Sequence, residues 1–398
     1  MDPIEVAVLG APINNSNLGC QALTYSVISL LEQIANEENI EFHFNIIEGI
    51  PNEESRDIFC KRMKISKMKL DCVQSGNYYD FLREIKHHFE NFKMRNLIRR
   101  CSFVIDLTEG DSFTDIYGSG QFRSRTSIKM ISEKYVPLIL GSQTYGPFKD
   151  PSNEMMAADV IKKAVAVFTR DRISGNYVKK ISGVEPILTC DLAFRLPYES
   201  HADEKNSRLK RVGLNISGLL VSDKKEESLT YITLKTNYDE FIKQILDYLI
   251  AHQYEVHLIG HVAADYTVNK MLKEKYPSVI LAPEFDNPMD AKSYISSMDL
   301  LIGSRMHATI AALTSNTPVV PVAYSRKFTG LFENVDYPYV VDLQTEDTNG
   351  AVKAVIDRIE NYDETKSATE KSYQIAMRQN DECLKAYETV IRKVLSNR

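Results

Sequence analysis

"LLIGSRMHATIAALTSNTPVVPVAYSRKF", residues 300–328, decides the fold. The segment 299–305 is a short apolar run closed by Gly303 and Ser304, the pattern of a buried strand. A helix of small residues follows near 306–315, and 318–324, "PVVPVAY", is a second buried-type strand. Strand, helix, strand in that order is a parallel unit with a right-handed crossover. Arg305 and His307 stand at the carboxyl end of the first strand, and Lys327 lies just past the second.

The same grammar extends in both directions. Upstream, "EVAVLGAP" (5–12), "IEFHFNII" (40–47), "CSFVIDLTEGDSF" (101–113), "VPLILGSQTYGPF" (136–148), "AVAVFTRDRIS" (164–174) and "PILTCDLAFRL" (186–196) each begin as a strand and run into a polar or glycine-containing loop. A helix over 20–38 carries Leu23, Val27, Leu30, Leu31 and Ile34 on one face. Residues 52–100 are polar and basic and read as an excursion from the sheet. Residues 198–210, "YESHADEKNSRLK", are charged and weakly apolar, as an interdomain linker is. Beyond them, strands at 211–220, 255–261, 279–284, 299–305, 318–324 and 339–343 alternate with helices at 238–252, 265–275, 288–298 and 306–315. Helices at 349–361 and 365–396 close the chain. The expected class is α/β, with two Rossmann-like domains facing a cleft.

Ligands of open parallel sheets bind beyond the carboxyl ends of the strands, so the strand-end loops hold the candidates. Arg305 offers a planar fork that fits a carboxylate or phosphate. His307 can donate a hydrogen bond or carry a proton. With Lys327 they form a potential site for a multiply charged anion. In "EGDSFTDIYG" (109–118), Asp111 and Asp115 have i, i+4 spacing and would share a face on a helical turn. They could act as acid or base or bind sugar hydroxyls; capping of the next helix is the alternative. "GAPINNSNLG" (10–19) crowds Asn14, Asn15, Ser16 and Asn17 before a helix N-terminus, which favours an anion or polar oxygen, or serves as ordinary cap chemistry. Gln143 and Tyr145 in "GSQTYGPF" could hydrogen-bond a ligand. Arg170 in "TRDRIS" is a further cation, with a structural pair to Asp171 as its alternative, and His261 ends the 255–261 strand.

The bulk composition excludes several classes. The 398 residues carry a net charge of −6, which argues against a nucleic-acid binder. No stretch approaches a membrane span, and the N-terminus lacks the basic region of a signal peptide. The six cysteines, at 20, 60, 72, 101, 190 and 383, form neither C-x-x-C nor zinc spacing, so no metal site is expected and a reducing cytoplasm is. G-x-G-x-x-G and the Walker lysine motif are absent, which disfavours dinucleotide and P-loop chemistry.

Taken together, "GSRMHATIAALTSNTPVVPVAYSRKF", "NLGCQALT", "EGDSFTDIYG", "GSQTYGPF", "TRDRIS" and "TCDLAF" resemble the polysaccharide pyruvyl transferase family over roughly residues 5 to 345. "GLNISGLL" and "GHVAAD" look closest to the branch that acts on exopolysaccharides such as colanic acid. One departure is Glu109, at a position that is often Gly in the family. The resemblance implies a GT-B-like fold with an N-terminal Rossmann-like domain over 1–200 on the acceptor side and a C-terminal one over 201–348 on the donor side. The C-terminal helices, 349–398, would pack back on the N-terminal domain. It implies transfer of pyruvate from phosphoenolpyruvate to sugar hydroxyls as a ketal, with phosphate release and no cofactor. On this reading Arg305 and Arg170 clamp the donor with help from Lys327. His307 contacts the phosphate or acts as general acid, and Asp111 or Asp115 is the base. Asn17, Gln143, Tyr145 and His261 would contact substrate.

The alternatives are a GT-B-type nucleotide-sugar glycosyltransferase and a non-catalytic glycan-binding member. The acceptor would be a saccharide, lipid-linked in one version. Tyr78 and Tyr79 are candidate sugar-stacking residues. The basic stretch 81–100 reads either as a solvated amphipathic helix or as a peripheral membrane contact.

Overall fold

A computed structural model describes residues 3–48, 51–74, 84–205, 208–221 and 233–397. The first run of elements is β1 (Ile4–Leu9), α1 (Leu18–Glu38), β2 (Phe42–Glu48), α2 (Glu53–Met63), β3 (Leu70–Gln74), α3 (Glu84–Arg100), β4 (Phe103–Asp106), α4 (Ser119–Ser132), β5 (Leu138–Gln143), α5 (Pro151–Lys163), β6 (Ala166–Thr169), α6 (Arg172–Ser182) and β7 (Ile187–Leu188). The second is β8 (Arg211–Asn215), α7 (Tyr238–Ala251), β9 (Glu255–Leu258), α8 (Ala263–Lys275), β10 (Ile280–Leu281), α9 (Pro288–Ser296), β11 (Leu300–Gly303), α10 (Met306–Thr314), β12 (Val319–Ala323), α11 (Arg326–Glu333), β13 (Val341–Asp342), α12 (Thr348–Glu360) and α13 (Tyr362–Ser396). The chain divides into two compact units. The first comprises Met1–Asn15, Leu23–Arg195 and Gln379–Arg398, the second Ser16–Ala22 and Leu196–Arg378.

The first unit holds a seven-stranded sheet in the order β3-β2-β1-β4-β5-β6-β7, with every pairing parallel. Its central strands are mostly apolar, as strands covered on both faces are: Val6, Ala7, Val8, Val104 and Ile105 are fully buried. The sequence moves outward from β1 in one direction and from β4 in the other, so the topological switch point falls between the carboxyl ends of β1 and β4. The second unit has six parallel strands in the order β10-β9-β8-β11-β12-β13. By the same reasoning its switch point lies between β8 and β11.

Residues 52–100 correct the sequence reading. Part of the segment, β3, returns to the sheet and pairs with β2 in parallel register, Asn45 opposite Asp71 and Ile47 opposite Val73. As an edge strand, β3 buries only Leu70 fully, so its hydrophobic pattern is faint. In α3, Met94, Leu97 and Ile98 are buried in the core of the first unit. Tyr78, Tyr79 and the start of the 81–100 stretch lie outside the described residues.

The last turns of α13 belong to the first unit. Tyr387 is fully buried, stacks on Phe168 with ring centroids 3.9 Å apart, and its hydroxyl accepts from the Ser142 backbone N–H at 2.7 Å. The segment after Arg195 joins the second unit: Lys292 of α9 donates to Leu196 O at 3.0 Å, and Ser296 accepts from His201 N at 2.9 Å. No helix among the described residues is long and apolar enough to cross a membrane.

Candidate functional site

In the second unit, β11 delivers Arg305 and α10 delivers His307 to the switch point, as their place after an apolar strand predicts. Arg305 is the N-cap residue of α10. Its backbone N–H donates to Asn215 Oδ1 at 2.9 Å, while Asn215 Nδ2 donates to Ile259 O at 2.9 Å. One asparagine thereby ties together the ends of β8, β9 and β11.

The guanidinium of Arg305 is committed in part to a partner that the sequence reading missed. Its Nε lies 3.2 and 3.1 Å from the two carboxylate oxygens of Asp265, and Nη2 donates to Asp265 Oδ1 at 2.6 Å. Asp265 is fully buried and also accepts from the backbone N–H groups of Gly218 (2.8 Å), His261 (3.1 Å) and Val262 (3.1 Å). Burial opposes the charge on Arg305 most strongly, but Asp265, Tyr324 and Tyr238 together outweigh it and raise the pKa. The pair fixes the plane of the guanidinium, with its Nη1 edge outside the Asp265 contact. It also neutralises the charge locally, so Arg305 alone does not supply the dianion site that the sequence suggested.

His261 is buried, with its ring Nδ1 lacking a hydrogen-bond partner among the described residues. Burial, then His307 and Arg305, depress its pKa to about 3, so it is a neutral imidazole. The segment at the start of α1 closes over this region. Leu18 N donates to His261 O at 3.0 Å, and Asn17 bridges to Val262. Gly19 is required there: a Cβ would sit 2.3 Å from His307 Nδ1. Asn17 itself caps α1, its Oδ1 accepting from Gly19 N at 2.9 Å.

The adjacent strand β12 ends in Tyr324 and leads into α11, a helix absent from the sequence reading that carries Arg326 and Lys327 in its first turn. Among the described residues the N-cap residues of α10 and α11, Arg305 and Ser325, make no side-chain cap hydrogen bond. The Ser325 hydroxyl is buried without a partner among the described residues. Cations at a helix N-terminus oppose the macrodipole. Both helices nonetheless begin with them, which is the arrangement an anion resolves.

In the first unit the structure separates the predicted residues. Asp111 follows a short turn, Thr108–Gly110, at the end of β4, and Tyr117 donates to it at 3.2 Å. Residues 111–115 are not helical, so Asp111 and Asp115 do not share a helical face. Asp115 is buried and accepts from Lys149 N (2.8 Å), Asp150 N (2.9 Å) and Asn153 Nδ2 (3.0 Å). Burial raises its pKa, but these donors together lower it below the usual value. It anchors the loop before α5, which corrects its expected role as a base.

Gln143 and Tyr145 are also corrections: both are fully buried. Gln143 Nε2 donates to the Asp106 carboxylate at 3.2 Å, and Tyr145 packs edge-on against Phe113 at 5.2 Å. Arg170 pairs not with Asp171, which caps α6, but with Asp191 of "TCDLAF", at 2.7 Å. The side chains are 3% and 0% exposed, so its charge is answered inside the unit. Among the described residues no cluster of three or more histidines, cysteines or acids is arranged to hold a metal.

Two parallel-sheet units with a terminal helix shared between them define a GT-B-like architecture. The chain belongs to the polysaccharide pyruvyl transferase family, whose model matches residues 17–326. The amylovoran biosynthesis protein AmsJ of Erwinia amylovora is 20% identical over 332 residues, 76% of each chain. Among solved structures, UDP-GlcNAc 2-epimerase from Neisseria meningitidis, bound to UDP-GlcNAc, superposes with a TM-score of 0.61 at 12% identity, covering 98% of this chain and 100% of that one. Anabaena Alr3699/HepE, in complex with UDP and glucose, gives 0.55 at 11%, covering 98% and 99%. At such identities these two likenesses speak for the fold.

Proposed function

We propose that this protein transfers pyruvate from phosphoenolpyruvate to two hydroxyls of a saccharide, forming a ketal and releasing phosphate. The observation that carries this reading is the pair of helix N-termini on adjacent strands, α10 and α11, each opening with basic side chains: Arg305 and His307, Arg326 and Lys327. Phosphoenolpyruvate places a carboxylate and a phosphate on a three-carbon frame, and two neighbouring amide clusters with flanking cations match that chemistry.

In this mechanism a proton adds to the methylene carbon, and the adjacent C2 becomes electrophilic. A sugar hydroxyl forms a bond to C2 and gives up its proton. The C2–O bond to phosphate breaks with its electron pair leaving on phosphate, and the second hydroxyl bonds to C2 and gives up its proton, closing the ketal. Arg305, held in plane by Asp265, and Lys327 stabilise the charge that phosphate gains as it leaves. His307 is the proton donor or phosphate contact. With Asp115 engaged by its three donors, Asp111 is the base candidate, and Arg170 orders the first unit's loops through Asp191. The net reaction is neither oxidation nor reduction, so the proposal calls for no redox cofactor. It places the protein in the cytoplasm with its donor, and the six free thiols are compatible with that compartment.

A nucleotide-sugar donor is the second reading, because paired helix N-termini fit a diphosphate equally and, of the two solved structures of similar fold above, one is bound to UDP-GlcNAc and the other to UDP and glucose. The test is thermal stabilisation by phosphoenolpyruvate against a panel of nucleotide sugars, followed by phosphate release with candidate glycans. Stabilisation and phosphate release with phosphoenolpyruvate support the proposal. Stabilisation by a nucleotide sugar alone overturns it.

A further inference from the structure

The first unit's switch point carries an unusual turn. Thr108, Glu109 and Gly110 have φ of 41°, 53° and 83°, three left-handed residues in succession after β4. Such a turn persists only where its surroundings over-determine it. Here Glu109 N donates to Gly10 O at 2.7 Å, Thr144 N donates to Gly110 O at 2.8 Å, and Arg125 grips the Glu109 carboxylate at 2.7 Å. The turn brings out Asp111, and six residues later the Tyr117 ring stands 40% exposed with its hydroxyl on Asp111. The backbone just after the ring is uncrowded: a Cβ on Gly118 or Gly120 would meet nothing within 4 Å beyond its chain neighbours.

The charges of these loops are settled internally. Arg125 is paired with Glu109, Arg123 with Asp150, and buried Lys129 with Asp106. Arg170 faces three carboxylates, Asp191, Asp111 and Asp171. The balance there is negative, which suits hydroxyl donors and repels anions. An exposed tyrosine face beside a carboxylate is the combination that takes the C–H face of a sugar ring and accepts from its hydroxyls.

We propose that Tyr117 and Asp111 form a binding subsite for a neutral pyranose, the ring lying against Tyr117 and its hydroxyls donating to Asp111. This deepens the proposed function by assigning the acceptor's class, and it discriminates against uronates and phosphosugars, whose charge would meet Asp111.

The experiment is saturation-transfer NMR on the protein without donor, using methyl glycosides of galactose, glucose and mannose and, as the anionic probe, methyl galacturonide. The expected result is transfer to ring protons of at least one neutral glycoside, with the uronide bound about tenfold more weakly. Tyr117→Ala abolishes transfer, and Tyr117→Phe, which keeps the ring face, weakens it only about threefold. Because Tyr117 is exposed, melting curves of both variants should match the parent. No transfer to any neutral glycoside, parental binding by Tyr117→Ala, or a uronide bound as tightly as the neutral sugars would each overturn the subsite. Phosphate release from phosphoenolpyruvate is measured separately. Sugar binding without phosphate release would retire the donor assignment and leave this subsite standing.

Discussion

Asp265→Asn separates charge from orientation at the Arg305 site. The carboxylate is fully buried and receives two guanidinium nitrogens and three backbone N–H groups. The amide keeps the shape, loses the charge, and turns an N–H₂ toward groups that are themselves donors. Breaking a buried ion pair by removing one partner costs about 3–5 kcal/mol. Arg305 keeps 13% exposure and some access to water, so we expect about 3 kcal/mol. Urea unfolding should show this loss with an unchanged slope. Below the variant's melting temperature, loss of guanidinium orientation should weaken phosphoenolpyruvate binding by about 2 kcal/mol, or about 30-fold, read by calorimetry. If charge alone mattered, unmasking Arg305 would tighten binding. A variant that binds the donor as well as or better than the parent would therefore refute the orienting role.

Four further outcomes follow from the geometry. His261 has a folded pKa of about 3 against about 6.5 when unfolded, so the unfolded chain binds the extra proton between those values. Its contribution to stability is present above about pH 6.5 and is lost as pH falls toward 3, by up to about 1.4 kcal/mol per pH unit; His261→Gln should flatten that slope in urea titrations. Lys292, buried with a pKa lowered to about 7, follows the same sign in a higher window: the unfolded chain holds the extra proton from about pH 7 to 10. The parent should gain stability relative to Lys292→Met on going from pH 7 to 9, and an equal pH dependence for the two proteins would show that Lys292 stays charged. Tyr387→Phe leaves the buried Ser142 N–H without its acceptor and should cost about 1–3 kcal/mol in denaturant unfolding. Glu109→Gly relieves a left-handed residue while losing the Arg125 pair, so its stability should stay within about 1 kcal/mol of the parent, whereas Glu109→Val should cost more than that.

The strands were legible wherever a short apolar run is bounded by turn residues, because parallel strands covered on both faces must be continuously apolar. β3 escaped because an edge strand buries little, and α11 because eight residues beginning with Arg326 and Lys327 show no long periodicity. Arg305 and His307 were readable from their place after β11. Their environment was not. Asp265 lies 40 positions from Arg305, and Asp191 lies 21 from Arg170, so only the folded sheet brings each pair together. The spacing of Asp111 and Asp115 misled because i, i+4 places side chains on one face only inside a helix. Gln143 and Tyr145 misled because a strand-end loop can turn its polar side chains inward, here toward Asp106 and Phe113. The residue at 109 is instructive in the other direction: its φ of 53° is the conformation that glycine adopts most easily.

The central claim is that the N-termini of α10 and α11 receive a dianionic three-carbon donor. A crystal structure with phosphoenolpyruvate tests it most directly. The account predicts the phosphate within hydrogen-bond distance of the first amides of α10 or α11, with Arg305 still paired to Asp265 and its Nη1 edge on the ligand. Phosphoenolpyruvate bound away from both helix ends, with Arg305, His307 and Lys327 making no contact to it, would contradict the account.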